Sequence, residues 1–214
     1  MKIIGFVASM SITFFGMSQL SYDFAEPLPP EGKTVSAVSK PYFGNYSSDK
    51  VDIDYEFTSE GIFAVSIIYN SISRETIRES SQYQVRDGYI IGVTPEDSLP
   101  CVLQGEYYHF GIRFREQIIG GSSKNVLTKV SETTYILNFE DNGHYTPSLL
   151  EFKGKELNLR HFTYEDSTEL FNGISLKTEK PYNELTYVTL EPTLSEWKAI
   201  PQDRILGNTI TFTR

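Results

Sequence analysis

Tyr107-Tyr108-His109-Phe110-Gly111-Ile112-Arg113-Phe114-Arg115 opens the stretch, residues 107–161, whose reading decides the fold. Tyr108, Phe110, Ile112 and Phe114 fall at every second position, with His109, Arg113 and Arg115 between them, so one flank is apolar and the other polar. That is the two-residue period of a half-buried β-strand. The design repeats with Tyr135, Leu137 and Phe139 on one side and Ile136, Asn138 and Glu140 on the other, closing on Asp141-Asn142-Gly143. Asn-Gly between two strand patterns signals a hairpin, because both residues tolerate positive φ. Leu150 and Phe152, a turn at Gly154, then Leu157 and Leu159 add two more short strands. The sequence therefore predicts an all-β fold: an antiparallel up-and-down meander closing into a barrel or a strongly curved sheet.

Working outward, the same alternation recurs on both sides. Upstream, Tyr42-Phe43-Gly44-Asn45-Tyr46 starts the domain. Val51, Ile53, Tyr55 and Phe57 alternate with Asp52, Asp54 and Glu56, and after Ser59-Glu60-Gly61 a return strand carries Ile62, Ala64, Ser66 and Ile68. The run 74–79 reads as a short exposed helix or a loop, with Glu75 and Arg78 at i, i+3. Asp87-Gly88 marks a second hairpin, between Tyr83/Val85 and Tyr89/Ile91/Val93, ended by Pro95-Glu96-Asp97. Gly120-Gly121-Ser122-Ser123-Lys124 lacks the spacing of a phosphate-cradling loop and is expected to be a hairpin tip.

Downstream, 164–169 is an acidic loop or single helical turn, and strands are expected around 173–176 and 185–190. Thr193-Leu194-Ser195-Glu196 has the capping-box pattern and should start one short C-terminal helix that Pro201 stops, with Trp197 anchoring it over the sheet. Ile210 and Phe212 form a last strand.

At the N-terminus, Lys2 precedes an uncharged run, Ile3 to Met17, too short for the about 20 residues of a membrane-spanning helix but suited to a signal-peptide core. Gly16 and Ser18 supply small residues for cleavage after Ser18, so 1–18 is read as a leader and the protein as exported, periplasmic or envelope-associated. Pro27, Pro29, Pro30 and Gly32 make 19–41 an expected extended tether outside the sheet. One β domain, 42–214, follows, with no integral membrane segment after leader removal.

The bulk numbers narrow the function. A net charge of −9 over 214 residues argues against a nucleic-acid partner, which needs a basic stripe. Fourteen Tyr and fourteen Phe suit cross-strand packing. Cys101 is the single cysteine, so neither an internal disulfide nor a Cys-based metal site can form, and nothing near it in sequence would activate a thiol. Asp52, Asp54 and Glu56, with Asp49, offer oxygen ligands to a hard cation, but they lack a calcium-loop spacing and read as a solvated face. His109, His144 and His161 follow no dense ligand pattern and read as ordinary surface or hydrogen-bonded histidines. No catalytic, metal or cofactor-binding residue is nominated, and no cofactor is implied.

Several short motifs carry a resemblance. Glu26-Pro27-Leu28-Pro29-Pro30-Glu31-Gly32, Gly44-Asn45-Tyr46, Tyr107-Tyr108-His109-Phe110 and Tyr135-Ile136-Leu137-Asn138 together resemble uncharacterised exported envelope proteins of Gram-negative bacteria, many of them lipoproteins. The resemblance implies a β-rich envelope domain and carries over no catalytic residue. It departs at the lipidation cysteine, which is missing after the leader. Two functions follow as expectations: a noncatalytic envelope protein that binds a partner or surface component, or a β-barrel carrier with a small apolar ligand in its lumen. An enzyme ranks third, for want of a motif.

Overall fold

The computed structural model describes residues 19–94, 98–163, 169–182 and 185–214. The expected leader 1–18, the expected breaker Pro95-Glu96-Asp97 and most of the acidic run 164–169 lie outside the described residues. Alternating sequence becomes strand. The chain first lays down β1 (Gln19–Phe24) and β2 (Lys33–Val35) in sheet A. It then builds all of sheet B from β3 (Gly44–Tyr46), β4 (Ile53–Thr58), β5 (Gly61–Ser73), β6 (Gln84–Arg86), β7 (Tyr89–Ile91), β8 (Leu99–Gln104) and β9 (Tyr107–Ile119). It returns to sheet A with β10 (Val126–Lys129), β11 (Thr134–Asp141), β12 (His144–Lys153), β13 (Glu156–His161), β14 (Leu176–Tyr182), β15 (Leu185–Glu191) and β16 (Ile210–Thr213). Because β10 pairs with β2, Leu127 opposite Val35, the chain leaves and rejoins sheet A at one place. Sheet B is a single excursion.

The fold is all-β with a strongly curved sheet, and sheet A curls into a half-barrel. β10, β11, β12 and β13 form the expected antiparallel meander. Strand β12 changes partner midway: Tyr145 faces Phe24 of β1, while Ser148 to Lys153 face β13. Pro147, which has no N–H to give, stands at the change. At Asp87-Gly88 φ is 50° and 81°, and at Asn142-Gly143 it is 52° and 86°, the two-residue hairpin geometry their sequence demands. β1 and β15 run parallel, a pairing that local alternation does not reveal.

The sheets face one another across one core, and sheet A covers a second behind it. Between the sheets lie Tyr46, Phe57 and Ile62 of sheet B against Tyr135, Leu137, Phe152 and Phe212 of sheet A. Phe152 is the hub: its ring stacks on Tyr42 at 4.4 Å and meets Phe57 edge-on at 5.3 Å. Behind sheet A, Phe24, Leu28, Ile136, Leu190 and Ile205 pack with Trp197, whose ring lies 6.1 Å from that of Phe24.

Four expectations are corrected. Residues 19–41 are not a tether: Phe24 and Leu28 are buried, and the domain begins in β1. The prolines do leave backbone groups without ladder partners, but Asn138 supplies one by accepting from the Leu28 N–H at 2.8 Å and donating to its carbonyl at 2.9 Å. The Tyr135 hydroxyl accepts from the Ser39 N–H at 3.0 Å in the same way. Secondly, the flank of β11 expected to be wet is dry, since Ile136 and Asn138 point into the second core.

Thirdly, Gly120-Gly121 is not a hairpin tip but the crossover from sheet B to sheet A, held by the Asn125 amide donating to the Ile118 carbonyl at 3.0 Å. Finally, two short helices, α2 (Leu194–Ala199) and α3 (Gln202–Ile205), stand where one C-terminal helix was expected, while the run 74–79 takes the helical of its two readings as α1 (Arg74–Glu79). Pro201 ends α2 as predicted, yet its fixed φ also opens α3 as the N-cap. The capping box at α2 forms as read, Thr193 Oγ1 accepting from the Glu196 N–H and Glu196 Oε2 from the Thr193 N–H.

Candidate functional site

β5 and β9 are thirteen residues each and pair along their whole length. At about 3.3 Å per residue such a ribbon runs roughly 43 Å. Only its first half lies against the body: Ile62, Phe63 and Val65 are buried, and exposure begins at Ile67. The outer half, with β6, β7, β8 and α1, projects away from both cores.

Cross-strand partners share a face, so the register sorts the side chains. The inner face, continuous with Tyr55 and Phe57 in the core, carries Ser66 with Phe114, Ile68 with Ile112, and Ile72 with Tyr108 and Leu103. The outer face carries Ile67 with Arg113, Tyr69 with Gly111, and Tyr107 with Ser73. Val102 lies beside His109 and Tyr89 beside Pro100 on that same face. Both faces leave large apolar groups in water. On the inner face Ile68 is 50% exposed and Phe114 47%; on the outer, Tyr69 is 81% and Val102 71%.

The arm is nevertheless built, not frayed. Ser73 caps α1 by accepting from the Thr76 N–H at 3.0 Å, and α1 reaches from β5 to β6. Ile90 and Phe110, on the inner face, are buried. Gly111 has no side chain because the space is taken: a Cβ there would stand 2.7 Å from Ile67 and 3.6 Å from the Tyr69 ring. Where the arm meets the body, the Arg115 guanidinium lies 3.4 Å over the Phe63 ring and donates to Glu56 Oε2 at 2.7 Å. That hydrogen bond holds the Glu56 carboxyl below its ordinary pKa and the Arg115 guanidinium above its own. Asp52, Asp54 and Glu56 line a shallow groove of about 260 Å³ with Ile67, Tyr69 and Arg113, so the outer apolar patch has a charged border.

The polar residues weighed from sequence are scattered. His109 is on the arm, and His144 Nδ1 lies 3.6 Å from Asp23 Oδ1 in sheet A. His161 Nδ1 meets the Ser148 hydroxyl at 2.9 Å, and partial burial of the ring lowers its pKa. Among the described residues no three His, Cys, Asp or Glu side chains come together as metal ligands would. Burial raises the Cys101 thiol on β8, the reverse of activation. Among the described residues no helix is long and apolar enough to cross a membrane.

Sequence reading missed Ile67, Tyr69, Val102 and Leu103 as surface. The signal was present: Ile67-Ile68-Tyr69 and Val102-Leu103 are consecutive apolar residues, which greases both faces of a strand at once. Such runs normally mark strands covered on both sides. No protein-family model, curated protein or solved structure matches the chain.

Proposed function

We propose that this is a noncatalytic, exported component of a Gram-negative cell envelope that binds a partner protein through the projecting half of sheet B. The observation that carries the reading is the apolar surface on both faces of β5–β9 beyond the body. Scattered exposed hydrophobes are ordinary, but a contiguous set on a well-formed element is the mark of an interaction surface. Aromatic residues in its centre and charged residues at its border match the anatomy of protein interfaces. The leader-like composition of 1–18 and the resemblance to exported envelope proteins support the location. Carriage of an apolar ligand in a lumen has less support, because Tyr46, Phe57, Tyr135 and Phe152 fill the space between the sheets.

The test is site-specific photocrosslinking in the native host, with a photoreactive residue at Tyr69 or Val102 and, as control, at Lys177 on β14. A discrete protein adduct is expected from the arm positions alone, and Ile67→Asp should abolish it without altering the circular dichroism spectrum. Adducts that form equally from Lys177, or that survive Ile67→Asp, would overturn the assignment. Adducts to lipid alone would redirect the arm to the membrane surface.

A further inference from the structure

β4 covers only half of the β5 edge. The outermost β4–β5 pair is Ile53 opposite Ser66, and among the described residues no strand lies on that side of β5 from Ile68 to Ser73. The Arg74 N–H donates to the Glu106 carbonyl at 2.9 Å, so in the β5–β9 register residues 68, 70 and 72 turn their backbone groups to β9. Tyr69, Ser71 and Ser73 then turn theirs to the open side. Other outer strands are protected: β2, β3 and β6 have three residues each, and β14 carries Lys177, Glu179 and Lys180. Ile68-Tyr69-Asn70-Ser71-Ile72-Ser73 has no charge and no proline, and Ile68 and Tyr69 are 50% and 81% exposed. An unprotected edge of that composition is a template for another strand.

We infer that the partner of the arm is a second copy of this chain, its β5 added antiparallel to the open edge; the inference rests on the reading of the arm as an interaction surface and names what it binds. Charge selects this occupant. Asp52 stands at the β4 end of the open stretch, in the groove with Ile67 and Tyr69, and Arg74 stands at the α1 end. Both are exposed, and neither makes an ion pair within 4.0 Å among the described residues. A copy related by a two-fold axis brings Arg74 of each chain to Asp52 of the other, so two such pairs form. The open backbone groups centre the axis on Ser71. Ser71 then faces its counterpart, Tyr69 faces Ser73 of the second copy, and Ile68 gains Ile72 of the second copy as a diagonal neighbour. With no charge between its two ends, the stretch meets no repulsion in pairing with itself.

The test is sedimentation equilibrium of the chain purified from its own host, over a concentration series. A monomer–dimer equilibrium is expected. Ser71→Pro removes the N–H on the open side, a change an edge strand tolerates, and should weaken the dimer at least tenfold with the circular dichroism spectrum unchanged, while Ser71→Ala should leave it intact. Asp52→Arg should also weaken the dimer at least tenfold, and adding Arg74→Asp to the same chain should restore it. A monomer at every concentration would overturn the inference. So would a dimer indifferent to Ser71→Pro, or one that the paired charge exchange does not restore. A monomer that still gives a discrete adduct with a different protein from Tyr69 in the host would overturn the second copy alone and leave the reading of the arm standing. Absence of both dimer and adduct would remove the two together.

Discussion

Phe152 in the middle of sheet A and Phe114 in the outer half of sheet B sit on strands of the same alternating design, yet one is 2% exposed and the other 47%. In sheet A the meander is dry on both faces, sheet B lying over one and the N-terminal segment, α2 and α3 over the other. In the arm Ile90 and Phe110 are buried, but Ile67, Ile68, Tyr69, Val102 and Phe114 stay open to water. Period-two alternation states which side chains share a face; it does not state what that face meets. Burial belongs to the pair of surfaces, and among the described residues nothing buries Ile67, Ile68, Tyr69 or Phe114.

The comparison can be broken most readily at its largest difference. Phe152→Ala removes the ring that four aromatic neighbours touch, Tyr42, Tyr46, Phe57 and Tyr135, and should cost about 3–5 kcal/mol in urea denaturation. A loss below about 1 kcal/mol would mean the space between the sheets is not packed as described. Next in size, Asn138→Ala leaves the Leu28 N–H and carbonyl buried without their partner and should cost about 2–4 kcal/mol. Were Asn138 on a wet flank, as the alternation alone suggests, that change would be nearly silent in the same measurement.

A smaller effect sharpens the account of what covers sheet A. The Glu196 carboxyl is lowered to about 2, first by the Ser175 hydroxyl and then by the Thr193 N–H and hydroxyl. Its folded pKa lies below the unfolded value, so its stabilising contribution is complete above about pH 4.5 and is lost as pH falls from there toward 2. Acid titration followed by Trp197 emission should show this loss in the wild type and a flatter profile in Glu196→Gln. Identical profiles would remove the capping box from the list of what holds α2 down. Smallest of all, Phe114→Ala and Tyr69→Ala should shift stability by no more than about 0.5 kcal/mol while reducing capture by the partner. A large loss of stability there would show the arm to be core after all.

Several local features were legible because they are local. Asp87-Gly88 and Asn142-Gly143 specify their turns through backbone freedom at two adjacent residues, and Thr193 with Glu196 specifies a helix start through side chains three apart. The strap 19–41 was misread for the opposite reason. Its prolines suggested an unpaired segment, and the groups that pair it, Asn138, Tyr135 and β15, stand about a hundred or more residues away. Leu20, Tyr22 and Phe24 did carry a strand's alternation, overshadowed by the prolines that follow. The arm left a trace in Ile67-Ile68-Tyr69, but apolar groups on both faces describe a doubly covered strand and an uncovered interaction strand equally well.

The residue order alone settled the class of fold: alternation and turn chemistry act within a few residues, and they demand antiparallel strands with short connections. Which strands meet, which flank is dry, and where the chain leaves apolar surface in water were decided by packing between distant segments. A side chain's period is carried by its own neighbours, whereas its contact with water depends on what the rest of the chain lays over it.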